Sequence, residues 1–113
     1  MTEMKTAIFP VSDLEKPKAL FSALLDAKPD VDSPYYVGFN VEGQQIGLNP
    51  NGHSEGFTGG VCYWHVDDIE AHLSKLLSAG AEVFTAARDV GGGRLVATVK
   101  DWDGNVIGLI QDT

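Results

Sequence analysis

Few side chains in this sequence are equipped for chemistry. His65 closes the run Val61-Cys62-Tyr63-Trp64-His65-Val66, and an imidazole that titrates near neutrality is the natural general acid or base. Tyr63, two residues earlier, falls on the same face of an extended strand, where its ring can stack and its hydroxyl can hydrogen-bond. The structural alternative for His65 is a hydrogen-bonded position at a helix start. His53 in a glycine-rich stretch and His72 within a helical run are too far apart in kind to form a metal pair. Cys62 is the only cysteine, which excludes an intrachain disulfide and a multi-thiolate metal site. No basic residue flanks it to lower its pKa, so it reads as a small buried hydrophobe. Asp67, Asp68, Asp101 and Asp103 read as helix caps and turn formers. The stretch Asn51 to Gly60 is a loop, expected to be mobile. It lacks the Gly-Lys-Ser/Thr sequence and the strand-to-helix junction of a phosphate cradle.

An internal repeat sets the elements that carry these residues. Val11-Ser12-Asp13-Leu14-Glu15 matches Val66-Asp67-Asp68-Ile69-Glu70, and Gly43-Gln44-Gln45-Ile46-Gly47-Leu48 matches Gly104-Asn105-Val106-Ile107-Gly108-Leu109, in the same order. Each half therefore reads strand, helix, strands. In the second helix Ile69, Leu73, Leu76 and Leu77 share a face, with Asp67 as N-cap and Gly80 as the left-handed C-terminal stop. In the first, Leu14, Phe21, Leu24 and Leu25 form the stripe and Ser12 with Glu15 the capping box, Pro17 lying in the first turn. Strands are expected over Thr6–Val11, Tyr35–Val41, Gln44–Asn49, Val61–Val66, Ala81–Ala87, Arg94–Lys100 and Val106–Gln111, with a tight hairpin turn at Glu42-Gly43.

The chain is 113 residues with 43% hydrophobic and 21% charged residues, a composition for one folded domain of two repeated modules (about 1–55 and 56–113) and not for a disordered or fibrous chain. The net charge is −8. A phosphate backbone would be repelled, so no nucleic-acid partner is expected; the field favours a cationic small molecule or a basic partner, or else serves solubility alone. No apolar run approaches the ~20 residues of a membrane span, and no signal-peptide core is present, so a cytoplasmic address is expected.

The motifs Val11-Ser12-Asp13-Leu14, Trp64-His65-Val66-Asp67-Asp68-Ile69 and Asp101-Trp102-Asp103-Gly104-Asn105-Val106-Ile107-Gly108-Leu109 resemble the vicinal oxygen chelate superfamily, which includes glyoxalase I, extradiol dioxygenases and the fosfomycin- and bleomycin-resistance proteins. Trp102 stands where that family's turn usually has proline. The resemblance implies an α+β fold of two βαβββ-like modules, the first shortened, each a curved mixed sheet with a helix on its outer face, together forming a cleft. It also implies where metal-dependent members place their four ligands: here Thr6, Gly47, Val61 and Gly108. None of these is a good ligand for a divalent metal, so no metal and no cofactor are expected. Glycine at two of these positions would open the cleft floor to a bulkier guest, or mark a close backbone contact. With Gly47 and Gly108 facing inward, strand alternation places Thr6, Ile8, Tyr36, Asn40, Gln45, Asn49, Tyr63 and His65 in the cleft, and Cys62, Trp64 and Val66 against the second helix; Trp102, on the Asp101 to Asn105 turn, either covers the cleft mouth or packs against a partner subunit.

The function expected is metal-free binding of a small molecule, by likeness to the bleomycin-resistance branch a cationic or aromatic antibiotic, in a homodimer. The alternative is a metal-independent isomerase or lyase using His65 or Tyr63 as acid or base, so whether the chain is an enzyme stays open. A third possibility is a regulatory or assembly module without a small ligand.

Overall fold

Positive φ at Glu42 and Gly43 (52° and 88°) turns the chain back on itself, as a two-residue hairpin of the mirror-image turn type requires. It joins β3 (Val37–Val41) to β4 (Gln44–Asn49), with Val41 opposite Gln44 and Asn40 opposite Gln45. In this computed structural model, which describes residues 2–113, the hairpin belongs to the first of two compact units, Lys5–Val61. Met1, the first residue of the expected first module, lies outside the described residues. β1 (Glu3–Pro10) runs parallel to β4, and α1 (Glu15–Leu25) follows it. β2 (Val31–Asp32) pairs antiparallel with β3, so the order is β2-β3-β4-β1. The first module is therefore a full βαβββ unit. Its second strand escapes a hydrophobic-pattern reading because it is two residues long and exposed. β3 begins at Val37, two residues later than its apolar pattern suggests.

The second unit, Cys62–Thr113 with the first residues of β1, repeats the plan. β5 (Val61–His65) leads into α2 (Ile69–Ser78), and β6 (Glu82–Asp89), β7 (Leu95–Lys100) and β8 (Val106–Gln111) follow, ordered β5-β8-β7-β6. β5 is parallel to β8, and the other pairs are antiparallel.

Each helix packs on the apolar face of its own sheet. In the second unit Val66, Ile69, Leu73, Ala97, Val99 and Leu109 form the buried cluster, with Leu95 and Ile107 against it. That settles the faces of β7, whose apolar residues leave alternation ambiguous: Leu95, Ala97 and Val99 meet the helix, and Val96, Thr98 and Lys100 lie on the other side. In the first unit Val37, Phe39 and Leu48 are buried, with Phe9, Val11, Leu14, Phe21, Leu25 and Ile46 around them.

Several local expectations are corrected. Leu24 is 71% and Leu77 42% exposed, so both leave their predicted apolar stripes. Asp13, not Ser12, accepts from the Lys16 backbone N–H (3.2 Å). Asp68, not Asp67, caps α2 by accepting from Ala71 N–H (3.1 Å). Asp68, extended at φ −139° and ψ 99°, is the residue from which α2 starts, whereas α1 starts after Leu14, which offers no side-chain cap, and Asp13 bonds its first turn from one residue further out. Cys62 is exposed and Trp64 is 37% exposed, although Trp64 shares a sheet face with Leu109. Among the described residues no helix is long and apolar enough to cross a membrane.

Ile69 is 1% exposed and sits at the centre of the second cluster. Ile69→Ala is expected to destabilise the chain by about 2–5 kcal/mol, and Leu77→Ala by under ~1 kcal/mol. Chemical denaturation of both variants checks the order.

Candidate functional site

The sheet face turned away from each helix carries the residues of interest. In the second unit Tyr63 pairs with Gly108 and His65 with Ile110, so Tyr63 and His65 stand side by side on this face. Tyr63 lies flat over Gly108. A Cβ at position 108 would come within 2.4 Å of Tyr63 Cδ2 and 2.7 Å of Cγ. Next to this pair, Thr98 is buried and its hydroxyl meets that of Thr85 at 2.6 Å.

The first unit repeats the device. Gly38 pairs with Gly47, and the ring of Tyr36 lies across both. A Cβ at 47 would overlap the Tyr36 hydroxyl, and one at 38 would lie 3.0 Å from the ring. The two glycines therefore do not leave open floor. The room that a larger side chain would need is filled by a tyrosine of the same module. Thr6, also on this face, is buried and donates to Gln45 Oε1 at 3.2 Å across the β1–β4 ladder. Ile8 pairs with Gly47 and is half-buried.

Asn40 and Asn49 have structural partners. Asn40 Oδ1 accepts from Gly43 N–H (3.1 Å) and so holds the hairpin turn. Asn49 Oδ1 accepts from Asn51 N–H (2.9 Å), while its Nδ2 donates to Glu55 Oε1 (3.0 Å). With Gly56 and Phe57 N–H donating to the His53 and Gly52 carbonyls, residues 51–57 are a run of hydrogen-bonded turns. Phe57 is buried beneath it. Trp102 is 79% exposed. It projects from a turn in which Asp101 accepts from the Asp103 and Asn105 backbone and from Asn105 Nδ2. These bonds, the Asn105 side chain first, hold the Asp101 carboxyl below the usual carboxylate range. The indole lies near Gly80 at the end of α2. His72 is tied to its own helix, with Nδ1 3.0 Å from Asp68 O.

One electrostatic arrangement involves two residues that strand patterns do not single out. His65 Nδ1 lies 3.3 Å from Asp112 Oδ2. Arg94 grips the same carboxylate with both arms of its fork, Nε to Oδ1 at 2.6 Å and a terminal nitrogen to Oδ2 at 3.2 Å. The Arg94 hydrogen bond, opposed by partial burial and aided by the charges of Arg94 and His65, holds the Asp112 carboxyl below the carboxylate range. The β7–β8 register was the available signal: Leu95 faces Gln111, so the next pair outward is Arg94 and Asp112.

Among the described residues no three His, Cys, Asp or Glu side chains converge on a point that would hold a metal ion. The four positions where the family resemblance places ligands offer a threonine hydroxyl committed to Gln45, a buried valine and two glycines under tyrosines. That donor set does not fit a divalent metal.

The model of the Glyoxalase/Bleomycin resistance protein/Dioxygenase superfamily matches residues 4–109. The chain belongs to this superfamily. Solved structures agree on the fold. A superfamily member from Vibrio splendidus 12B01 is 16% identical, with a TM-score of 0.73 and all of both chains covered. A methylmalonyl-CoA epimerase variant from Streptomyces coelicolor, in complex with 2-nitronate-propionyl-CoA, is 12% identical with a TM-score of 0.76, covering 100% of this chain and 99% of that one. The methylmalonyl-CoA epimerase from Mycobacterium tuberculosis is 16% identical with a TM-score of 0.69, covering 97% and 87%. At these identities the likeness shows the superfamily fold, which hosts many chemistries. No curated protein sequence matches the chain.

Gly108→Ala drives a Cβ into the root of the buried Tyr63 ring and is expected to cost about 1–3 kcal/mol. Gly47→Ala meets only the far end of Tyr36, which can swing, and is expected to cost less. Equal costs in denaturant titrations would contradict the geometry. The Asp112 pair gives a second expectation. A carboxyl whose pKa is depressed on folding adds stability above its unfolded pKa, and that stability is lost as pH falls through the folded value. Because the pair is about half exposed, Asp112→Asn is expected to cost under ~1 kcal/mol at neutral pH. The gap from the parent should close as the pH is taken down through the acid range.

Proposed function

We propose that this chain binds a small organic molecule without a divalent metal at the superfamily's usual ligand positions. The observation that carries this reading is the pair of tyrosine-covered glycines. At two of the positions where the resemblance puts metal ligands, glycines lie under aromatic rings, Tyr36 over Gly47 and Tyr63 over Gly108. Tyr36, which is half-buried, offers a ring face and a hydroxyl in place of a negative charge, which suits an aromatic or cationic guest, whereas Tyr63 is buried in its own module. The chain's net charge of −8 favours the cationic kind. A cationic aromatic antibiotic is one such guest. The exposed Leu20 and Leu24 of α1 accord with self-association into a homodimer, which sedimentation would detect.

A second reading is favoured by the His65–Asp112–Arg94 arrangement. A histidine hydrogen-bonded to a carboxylate is the usual way to hold an imidazole for proton transfer. On this reading the chain isomerises or cleaves what it binds, by metal-independent acid–base chemistry of the kind the superfamily fold accommodates. His65→Gln should then abolish turnover while retaining binding.

Thermal unfolding with a panel of cationic and aromatic compounds, bleomycin-type compounds included, tests the main reading. A ligand at 100 times its Kd adds about 2.7 kcal/mol, and the rise in Tm should be the same with and without a chelator. A rise that appears only after adding Zn²⁺, Ni²⁺ or Mn²⁺ would overturn it.

A further inference from the structure

We infer that Asp112 is the positioning residue of His65, fixing its tautomer and ring orientation, with Arg94 as the clamp that holds Asp112. The inference deepens the acid–base reading of His65 and rests on it for its functional meaning. Its geometry stands by itself. His65 extends from the end of β5 on the same face as Tyr63, and its side chain is 11% exposed. Asp112 follows β8 and Arg94 precedes β7, so the three residues come from three adjacent strands of one sheet. Asp112 Oδ2 lies within reach of both His65 Nδ1 and an Arg94 terminal nitrogen, and Oδ1 takes the short bond from Arg94 Nε.

An ionised carboxylate can only accept. Arg94 favours that ionised form, so the hydrogen on Nδ1 is the one shared with Asp112. In neutral imidazole this leaves the lone pair on Nε2. Proton transfer then runs through Nε2: a substrate C–H or O–H bond breaks, its electron pair stays on the substrate, and the new N–H bond makes an imidazolium beside the Asp112 carboxylate. Return of that proton to the substrate at another atom or face completes an isomerisation, with no co-reactant. Asp112 keeps its charge throughout and passes no proton on. Arg94 serves the arrangement by its fork geometry, which Lys cannot reproduce.

The test is the tautomer ratio of His65, read from long-range ¹⁵N–¹H correlations of histidine-labelled protein at a pH where the imidazole is neutral. His65→Gln assigns the resonance among the three histidines. The expected result is a dominant Nδ1–H tautomer in the parent and a shift toward Nε2–H in Asp112→Ala on the order of tenfold, the size a hydrogen bond to a charged group gives. Asp112→Glu should restore part of it. Should Asp112→Ala fail to fold, Arg94→Met leaves the carboxylate but frees it, and a smaller shift in the same direction is expected. A dominant Nε2–H form in the parent, or an unchanged ratio in folded Asp112→Ala, would overturn the inference. Turnover plays no part in this readout. A fixed tautomer without turnover on any metabolite would reject the acid–base reading and leave the positioning role intact.

Discussion

The contact between the Tyr63 ring and the Gly108 backbone constrains the second module more than any other. Tyr63 and Gly108 are direct partners in the β5–β8 ladder, and the ring can lie on the sheet only because nothing projects from position 108. Any side chain there would displace the ring root, and with it the strand that presents His65 two pairs further along. The first module solves the same problem with different sequence spacing. Tyr36 comes from outside the β3 ladder and reaches across Gly38 and Gly47, a glycine pair facing each other on β3 and β4. In both modules one face of the sheet is covered by a helix on apolar residues, aliphatic in the second and mixed with Phe9, Phe21 and Phe39 in the first. The opposite face carries Tyr36, Thr6 and Ile8 in the first module and Tyr63, Thr98 and Ile110 in the second.

This arrangement changes what the superfamily fold can do. A metal centre needs charged or imidazole donors converging on one point. At two of the four ligand positions this chain has glycines covered by tyrosines instead, Tyr36 over Gly47 and the buried Tyr63 over Gly108. The charged chemistry that remains is displaced to the strand ends, where Arg94, Asp112 and His65 meet. Arg94 is one of only two arginines in the sequence, and its fork is spent on a carboxylate of its own module.

Much of the scaffold was legible because it depends on local patterns. The β4 and β8 strands, the Glu42-Gly43 turn and its register follow from alternation and turn chemistry alone. The Val-x-Asp repeats locate both helices to within a residue or two, since apolar spacing fixes helix faces better than helix ends. β2 was not legible, for it buries nothing and its two residues are held by pairing with β3. The exposure of Cys62 and Leu24 was hidden for a related reason: alternation assigns a face but not how far a helix covers it. Gly47 and Gly108 could be recognised as departures from a metal-binding pattern. That a tyrosine fills each space is a matter of side-chain reach. Tyr36 in particular crosses to Gly47 from a residue that is not in the strand. The Arg94–Asp112 pair was readable from hairpin register, but only once β7 and β8 were aligned through the Asp101–Asn105 turn.

If the proposed reading holds, a tyrosine-covered sheet face within one unit binds an organic molecule and needs no metal to do so. The most direct measurement is a set of ¹H–¹⁵N spectra of the chain in excess chelator, titrated with the cationic or aromatic compound that gives the largest thermal shift. On that reading, saturable shift changes are expected at Tyr36, Gly38 and Gly47 of the first unit or at Tyr63 and Gly108 of the second. Changes that appear only once a divalent metal is restored, or that fall on the helix-covered faces and leave these residues unmoved, would contradict it.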